Sequence, residues 1–123
     1  MERILGRFAP QFYALLRIVA GLLFACHGAQ KLFGLIGGQR VPLMTQMGLA
    51  GVIEFFGGLM IALGIFTGFA AFIASGEMAV AYFQAHAPRG TFPVLNGGEA
   101  AVLYCFIFLY ISARGSGIWS VRK

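Results

Sequence analysis

Four long hydrophobic segments constrain the fold of this chain more than any other feature of its sequence. They cover residues 12–35, 47–66, 69–86 and 96–113. Each approaches the length of about 20 residues that a helix needs to cross the hydrocarbon core of a bilayer. Hydrophobic residues make up 59% of the 123 residues, with a mean hydropathy of +0.84, and a soluble domain of this size has too little interior to bury them. The sequence therefore predicts an all-α protein, a bundle of four transmembrane helices.

The segments between these hydrophobic stretches predict the connections of the bundle. Residues 36–46 and 87–95 contain glycine, proline and polar side chains, as turns do, and only two residues separate the second and third segments. Connections this short place neighbouring helices antiparallel. The whole chain, residues 1–123, is predicted to form one domain.

The basic residues predict the orientation of the bundle. An even number of spans places both termini on one side, and most basic residues outside the spans lie there: Arg3, Arg7, Arg114, Arg122 and Lys123. The opposite side has Arg40 and Arg89. Since positive residues are retained on the cytoplasmic side, both termini are predicted to be cytoplasmic. No basic patch with interleaved aromatic residues indicates a nucleic-acid partner, so the net charge of +5 is attributed to membrane topology.

Six ionisable residues fall within or at the ends of the predicted spans, and each is expected to face the bundle and find a partner. They are Arg17, His27, Lys31, Glu54, Glu77 and Glu99. Depths estimated from a helical rise of about 1.5 Å per residue predict three ion pairs. The predicted pairs are Arg17 with Glu77, His27 with Glu54, and Lys31 with Glu99.

The outer half of the bundle is predicted to hold a polar site. Its candidate substrate-binding residues are His27, Lys31, Glu54, Tyr82, His86 and Glu99. A histidine beside a carboxylate can exchange protons near neutral pH, so His27 and Glu54 are the candidate catalytic pair. A purely structural role fits His27 equally well, and an interfacial role fits His86 better.

Glycine residues in the same segments predict close helix packing, and the cysteines do not predict a metal site. Gly28, Gly57 and Gly58 are expected to let helices approach closely. Cys26 and Cys105 lie in apolar runs and are expected to be core residues. No motif for a metal or an intrinsic redox cofactor is present.

Four short motifs, taken together, resemble the DoxX family of small four-helix membrane proteins. They read R-I-V-A-G-L-L-F-A-C-H-G-A-Q-K-L-F-G from Arg17, E-F-F-G-G-L-M-I-A-L-G from Glu54, M-A-V-A-Y-F-Q-A-H from Met78 and N-G-G-E-A-A-V-L-Y from Asn96. The resemblance implies a multi-pass protein of a prokaryotic inner membrane that is linked to redox metabolism. A membrane subunit of a thiosulfate:quinone oxidoreductase is among the relatives that it implies.

Three functions remain open at this stage. The first is an integral membrane component of a quinone-linked oxidoreductase system, which contributes a quinone or proton-handling site. Quinone would then be a substrate, and electrons would come from a redox partner subunit. The second is a non-catalytic membrane anchor for a redox complex, in which the ion pairs only specify helix packing. The third is a small-molecule or ion permease, which would need a homo-oligomer to form a pore.

Overall fold

The computed structural model describes residues 1–121, and this part of the chain is helical without any strand, which confirms the all-α prediction. Four long helices follow one another: α1 (Ala9–Phe33), α2 (Gln46–Leu63), α3 (Thr67–Ala81) and α4 (Glu99–Arg114). They overlap the four predicted hydrophobic segments. Arg122 and Lys123, which contribute to the predicted orientation, lie outside the described residues.

Shorter helical pieces extend and connect these helices. Glu2–Leu5 and a 3₁₀ turn, Gly6–Phe8, precede α1. A π-helical segment, Tyr82–His86, and a 3₁₀ turn, Ala87–Arg89, continue α3, and Pro93–Asn96 forms one more turn before α4. Two helical stretches of the described chain, Glu2–Phe33 and Gln46–Leu63, are long and apolar enough to cross a membrane by length and composition.

The ends of α1 and α2 follow from local sequence. Thr45 caps α2, because its side-chain oxygen accepts a hydrogen bond from Gly48 N at 3.1 Å. Both helices end at a glycine with positive φ, Gly34 at 68° and Gly64 at 78°, a left-handed conformation that glycine adopts without steric cost. These caps set the lengths of the first two helices and the start of the turn into α3.

Small residues bring α1 and α2 into backbone contact. A Cβ atom on Gly21 would lie 2.6 Å from Ala62 N, and one on Gly58 would lie 2.5 Å from Ala25 N. A Cβ on Gly28 would collide with the backbone of Phe55. Gly57 differs from the prediction, because nothing lies within 4 Å of the position of its Cβ. It points away from the contact between the two helices, which we call the α1–α2 seam.

The remaining contacts complete a bundle with an apolar perimeter. α3 packs mainly on α4 and less on α2. Phe24 of α1 reaches Phe108 of α4, with ring centroids 4.7 Å apart. Large apolar side chains cover the outside, as expected for a protein whose solvent is lipid. Cys26 is exposed among them, contrary to its predicted core position, and Cys105 is partly buried.

The chain folds back after α4 over one end of the bundle. Residues 115–121, which we call the C-terminal strap, run beside the start of α1 and the α2–α3 turn. Tyr13 Oη donates to Gly115 O at 2.6 Å, and Val121 N donates to Leu63 O at 2.8 Å. The strap is held by polar contacts rather than by regular secondary structure.

Candidate functional site

Three ionisable side chains from three helices meet near the middle of the bundle. Lys31 of α1 forms an ion pair with Glu54 of α2, with Nζ 2.6 Å from Oε2. The Glu54 side chain is 1% exposed and that of Lys31 is 24% exposed. Glu77 of α3 lines a cleft together with Lys31. We call these three residues the carboxyl cluster.

The fourth helix approaches the same cluster. Tyr104 of α4 lies within electrostatic range of Glu54 and of Cys26. Its ring also contacts His27 edge-on, with centroids 6.1 Å apart and an interplanar angle of 87°. Each of the four long helices therefore contributes at least one ionisable side chain to this region.

Two carboxyl oxygens of the cluster are buried without a protein donor. They are Oε1 of Glu54 and Oε1 of Glu77. An unsatisfied carboxyl oxygen in an apolar surrounding is costly. These atoms need a proton or a ligand donor to be satisfied.

A cleft of approximately 340 Å³ lies beside the cluster, between α2 and α3. Its walls are largely apolar, and Lys31 and Glu77 face it from the cluster. The apolar walls include Met47, Leu49, Ala50, Ile53, Ile73 and Val80. At the end near the π-helical segment, Gln46 Nε2 donates a hydrogen bond to Gln84 Oε1, and both amides line the cleft. The arrangement combines an apolar slot with a small number of polar groups, as ligand pockets do.

The structure corrects the three predicted ion pairs. Among the described residues, the ion pair that forms is Lys31–Glu54, so Glu54 is not paired with His27 and Lys31 is not paired with Glu99. Glu99 is exposed in the first turn of α4. The predicted pairing used the depth of the Lys31 backbone, which matches that of Glu99. The long Lys31 side chain instead reaches back along α1, so its ammonium group lies at the level of Glu54.

His27 lies outside the cluster because of its angular position on α1. It directly precedes Gly28, which faces α2, and one residue rotates a helix by about 100°. Its ring is exposed and contacts Tyr104 instead of Glu54. The predicted catalytic pair of His27 and Glu54 is therefore not formed.

Arg17 holds the C-terminal strap and not Glu77. Its side chain is fully buried, and its guanidinium donates to the carbonyl oxygens of Ser116, of Ile118 at 3.0 Å and of Trp119 at 2.6 Å. Thr67, at the start of α3, accepts from Ser116 Oγ at 2.8 Å. Glu77 lies ten residues further along α3, or about 15 Å, so Arg17 cannot reach it.

Tyr82 and His86, two further predicted site residues, stabilise the connection into α4. Asn96 is buried and its amide donates to Tyr82 Oη at 3.1 Å and to Gly90 O at 3.0 Å, while His86 Nδ1 lies 3.3 Å from Asn96 O. Asn96 Oδ1 accepts from Gly98 N at 2.8 Å. These contacts fix the π-helical segment, whose Gln84 lines the cleft.

Sequence reasoning missed four members of the site. Glu77 was paired with Arg17 instead, and Gln46, Gln84 and Tyr104 were not considered. A signal for Glu77 was available, because a glutamate within a hydrophobic helix must face a polar neighbour. No group of three or more histidine, cysteine or acidic residues with metal-binding geometry occurs within residues 1–121.

Comparisons with known proteins agree with the resemblance in sequence. The DoxX family model matches residues 12–87, which include the carboxyl cluster and all the residues that line the cleft. An uncharacterized protein of Haemophilus influenzae is 43% identical over 120 residues, covering 92% of this chain and 90% of that protein. No solved structure matches the chain.

Proposed function

Because this chain belongs to the DoxX family, we propose that it is an integral membrane component of a quinone-linked oxidoreductase system. In this proposal all four long helices cross the inner membrane of a prokaryote, and both termini are cytoplasmic. The family match and the apolar helices support a membrane protein. The observation that carries the quinone assignment is the cleft with the carboxyl cluster on its wall.

The cleft has the chemistry that a quinone headgroup requires. Its volume of approximately 340 Å³ lies within the range of about 300–1,000 Å³ typical of small-molecule pockets. A quinone ring would pack on Ile53 and Ile73, and its isoprenoid tail would extend into lipid. Lys31 has three N–H donors, of which one bonds Glu54, so it can also donate to a quinone carbonyl.

Glu77 would supply or accept protons at the quinone. Reduction of a quinone to a quinol takes up two electrons and two protons. In this proposal a redox-active partner protein supplies the electrons, Glu77 passes the protons, and water at the mouth of the cleft replaces them. Lys31, held in place by Glu54, orients the ring, while Tyr82 and His86 act indirectly by fixing the segment that carries Gln84.

Quantification of bound quinone tests the proposal. The protein is purified in mild detergent, the bound lipids are extracted, and quinone per chain is measured by mass spectrometry. Wild type and Glu99→Gln, which removes an exposed carboxylate away from the cleft, should retain quinone. Glu77→Gln, which removes the exchangeable proton, and Ile53→Trp, which fills the cleft, should lower the occupancy by tenfold or more, in line with about 1.4 kcal/mol per tenfold.

The outcome distinguishes a quinone-binding protein from a non-catalytic membrane anchor. Melting temperatures in detergent show whether each variant remains folded. A folded Ile53→Trp variant with full quinone occupancy would contradict the cleft assignment. Wild type that carries a soluble redox protein but no quinone would favour the anchor function instead.

A further inference from the structure

We propose that a groove between the last turn of α1, the loop that follows it and α2 binds one anionic phospholipid, whose phosphate is held by Arg40. The groove has a volume of approximately 470 Å³, and none of its residues lines the cleft between α2 and α3. Apart from Arg40 its walls are apolar and consist of Leu32, Phe33, Val41, Leu43, Val52 and Phe56. We call it the Arg40 groove.

The loop after α1 folds back and holds Arg40 at one end of the groove. The chain turns at Gly34, and Val41 N then donates a hydrogen bond to Lys31 O at 2.9 Å. A Cβ atom on Gly34 would lie 3.3 Å from Arg40 N, so the loop packs closely on the end of α1. The backbone of Arg40 therefore has a defined position, although the side chain itself is exposed.

The groove runs in the direction that an acyl chain takes in a bilayer. Both helices that flank it are long and apolar enough to cross a membrane. Arg40 lies beside the end of α1, where a span reaches the headgroup region. Phe56 lies ten residues after the start of α2, or about 15 Å deeper. A lipid with its headgroup at Arg40 would therefore lay its hydrocarbon along Val52 and Phe56.

The charge of Arg40 calls for an anion that the described chain does not provide. No acidic side chain among residues 1–121 forms an ion pair with Arg40, and none lines the groove. A guanidinium matches the geometry of a phosphate, which it can bind through two N–H donors at once. Basic residues at the membrane surface also attract anionic lipids. One anionic phospholipid would satisfy the cation with its headgroup and the apolar walls with its hydrocarbon.

Other occupants fit this groove less well than an anionic phospholipid. In a two-fold symmetric dimer the same patch of both subunits meets at the interface. A second copy would then bring two Arg40 guanidinium groups together without a carboxylate between them, and like charges repel. A quinone headgroup is neutral, so it would leave the charge of Arg40 unbalanced. The groove is therefore assigned a ligand of a different class from that of the cleft.

The lipids that stay with the protein in detergent test the proposal. The protein is reconstituted with equal amounts of phosphatidylethanolamine and phosphatidylglycerol of the same chain length. It is then transferred into mild detergent, and the retained lipids per chain are counted by native mass spectrometry. Wild type should retain one phospholipid, with phosphatidylglycerol favoured by about fivefold. Retention of the two lipids in equal amounts would overturn the proposal.

Two arginine variants distinguish recognition of the headgroup from a general attraction of anionic lipid. Arg40→Gln should abolish the preference for phosphatidylglycerol. Arg89→Gln is the matched control, because it removes another exposed arginine at the same end of the bundle, where Gln46 and Gln84 join α2 to the end of α3. It should leave the preference unchanged. An unchanged preference in Arg40→Gln, or an equal loss in Arg89→Gln, would contradict the assignment.

Neighbouring residues of α2 separate this site from the proposed quinone site. Val52 lines the groove and Ile53 lines the cleft, so Val52→Trp and Ile53→Trp each fill a different one. Val52→Trp should lose the phospholipid, whereas Ile53→Trp should keep it. A folded Val52→Trp variant that keeps its phosphatidylglycerol would overturn the proposal.

The lipid measurement is independent of the quinone assignment. Wild type that retains phosphatidylglycerol but no quinone would support the Arg40 groove and remove the proposed function. Quinone binding without a preference for phosphatidylglycerol would do the reverse. If a tryptophan variant does not fold, Arg40→Gln and Arg89→Gln still decide the result, because both change exposed side chains.

Discussion

The carboxylate of Glu54 determines much of what its neighbours must do. It is almost wholly buried, where water cannot solvate it, and the protein compensates its charge with Lys31. Removal of one partner from a buried ion pair is more damaging than removal of both, because it leaves an uncompensated charge.

Lys31→Met should therefore destabilise the protein more than the double variant Lys31→Met/Glu54→Gln. Breaking a buried pair costs about 3–5 kcal/mol in soluble proteins, and polar contacts in membranes are worth less. Melting temperatures in detergent check this, and equal losses in the single and double variants would contradict it.

Individual residues also show where sequence reasoning reaches its limit. That Glu54 faces the bundle follows from the cost of a charge in lipid. That its partner is Lys31 and not His27 does not, because the choice depends on a rotation of one residue and on the reach of a flexible side chain. Helical periodicity resolves a face, but it does not resolve a contact.

Among the helices, α1 and α2 form the tightest pair. Their backbones touch at Gly21 and Gly58, where no side chain intervenes. Van der Waals contact of this kind is the main source of helix association in a bilayer. Gly58 was predicted from the sequence and Gly21 was not, and which of the neighbours Gly57 and Gly58 faces the seam depends on the helix rotation.

Gly58→Ala should destabilise the protein, whereas Gly57→Ala should not. An added Cβ at position 58 would lie 2.5 Å from Ala25 N, so α1 must move away, at a cost of about 1–3 kcal/mol. Gly57 has open space, and Gly57→Ala should be neutral or stabilise by up to about 1 kcal/mol through helix propensity. Melting temperatures of the two variants test this prediction. Similar losses in both would contradict the assignment of Gly58, and not Gly57, to the α1–α2 seam.

Arg17→Leu should release the C-terminal strap. The substitution leaves the carbonyl oxygens of Ser116, Ile118 and Trp119 without the donor that holds them. Chymotrypsin should then cleave after Trp119 faster than in wild type, as followed by mass spectrometry. Arg7→Leu, which removes an exposed cation just before α1, is the control and should leave the rate unchanged.

In the whole bundle, hydropathy predicts the long helices, whereas the polar contacts between segments cannot be predicted from the sequence. The four helices were predictable because lipid requires long apolar segments. The strap was not, since glycine and serine residues after a helix indicate no fixed path. The π-helical segment at Tyr82–His86 likewise follows from tertiary contacts around Asn96 and not from its own composition.

The proposed topology gives a test of the complete molecule. A reporter fused after Lys123 should be active only in the cytoplasm, and one inserted at Arg89 only on the outer side, because most basic residues flank the termini. Arg114 lies over the ring of Tyr13, so the start of α1 and the end of α4 share one end of the bundle. The opposite labelling pattern would refute the orientation.

The unequal packing of the helices also determines how a ligand could enter. α1 is locked to α2 by backbone contact and α3 is packed on α4, whereas the cleft lies where these two hairpins meet. In the proposed function, a quinone that enters the cleft at this boundary would arrive by lateral diffusion within the membrane and never cross the aqueous phase.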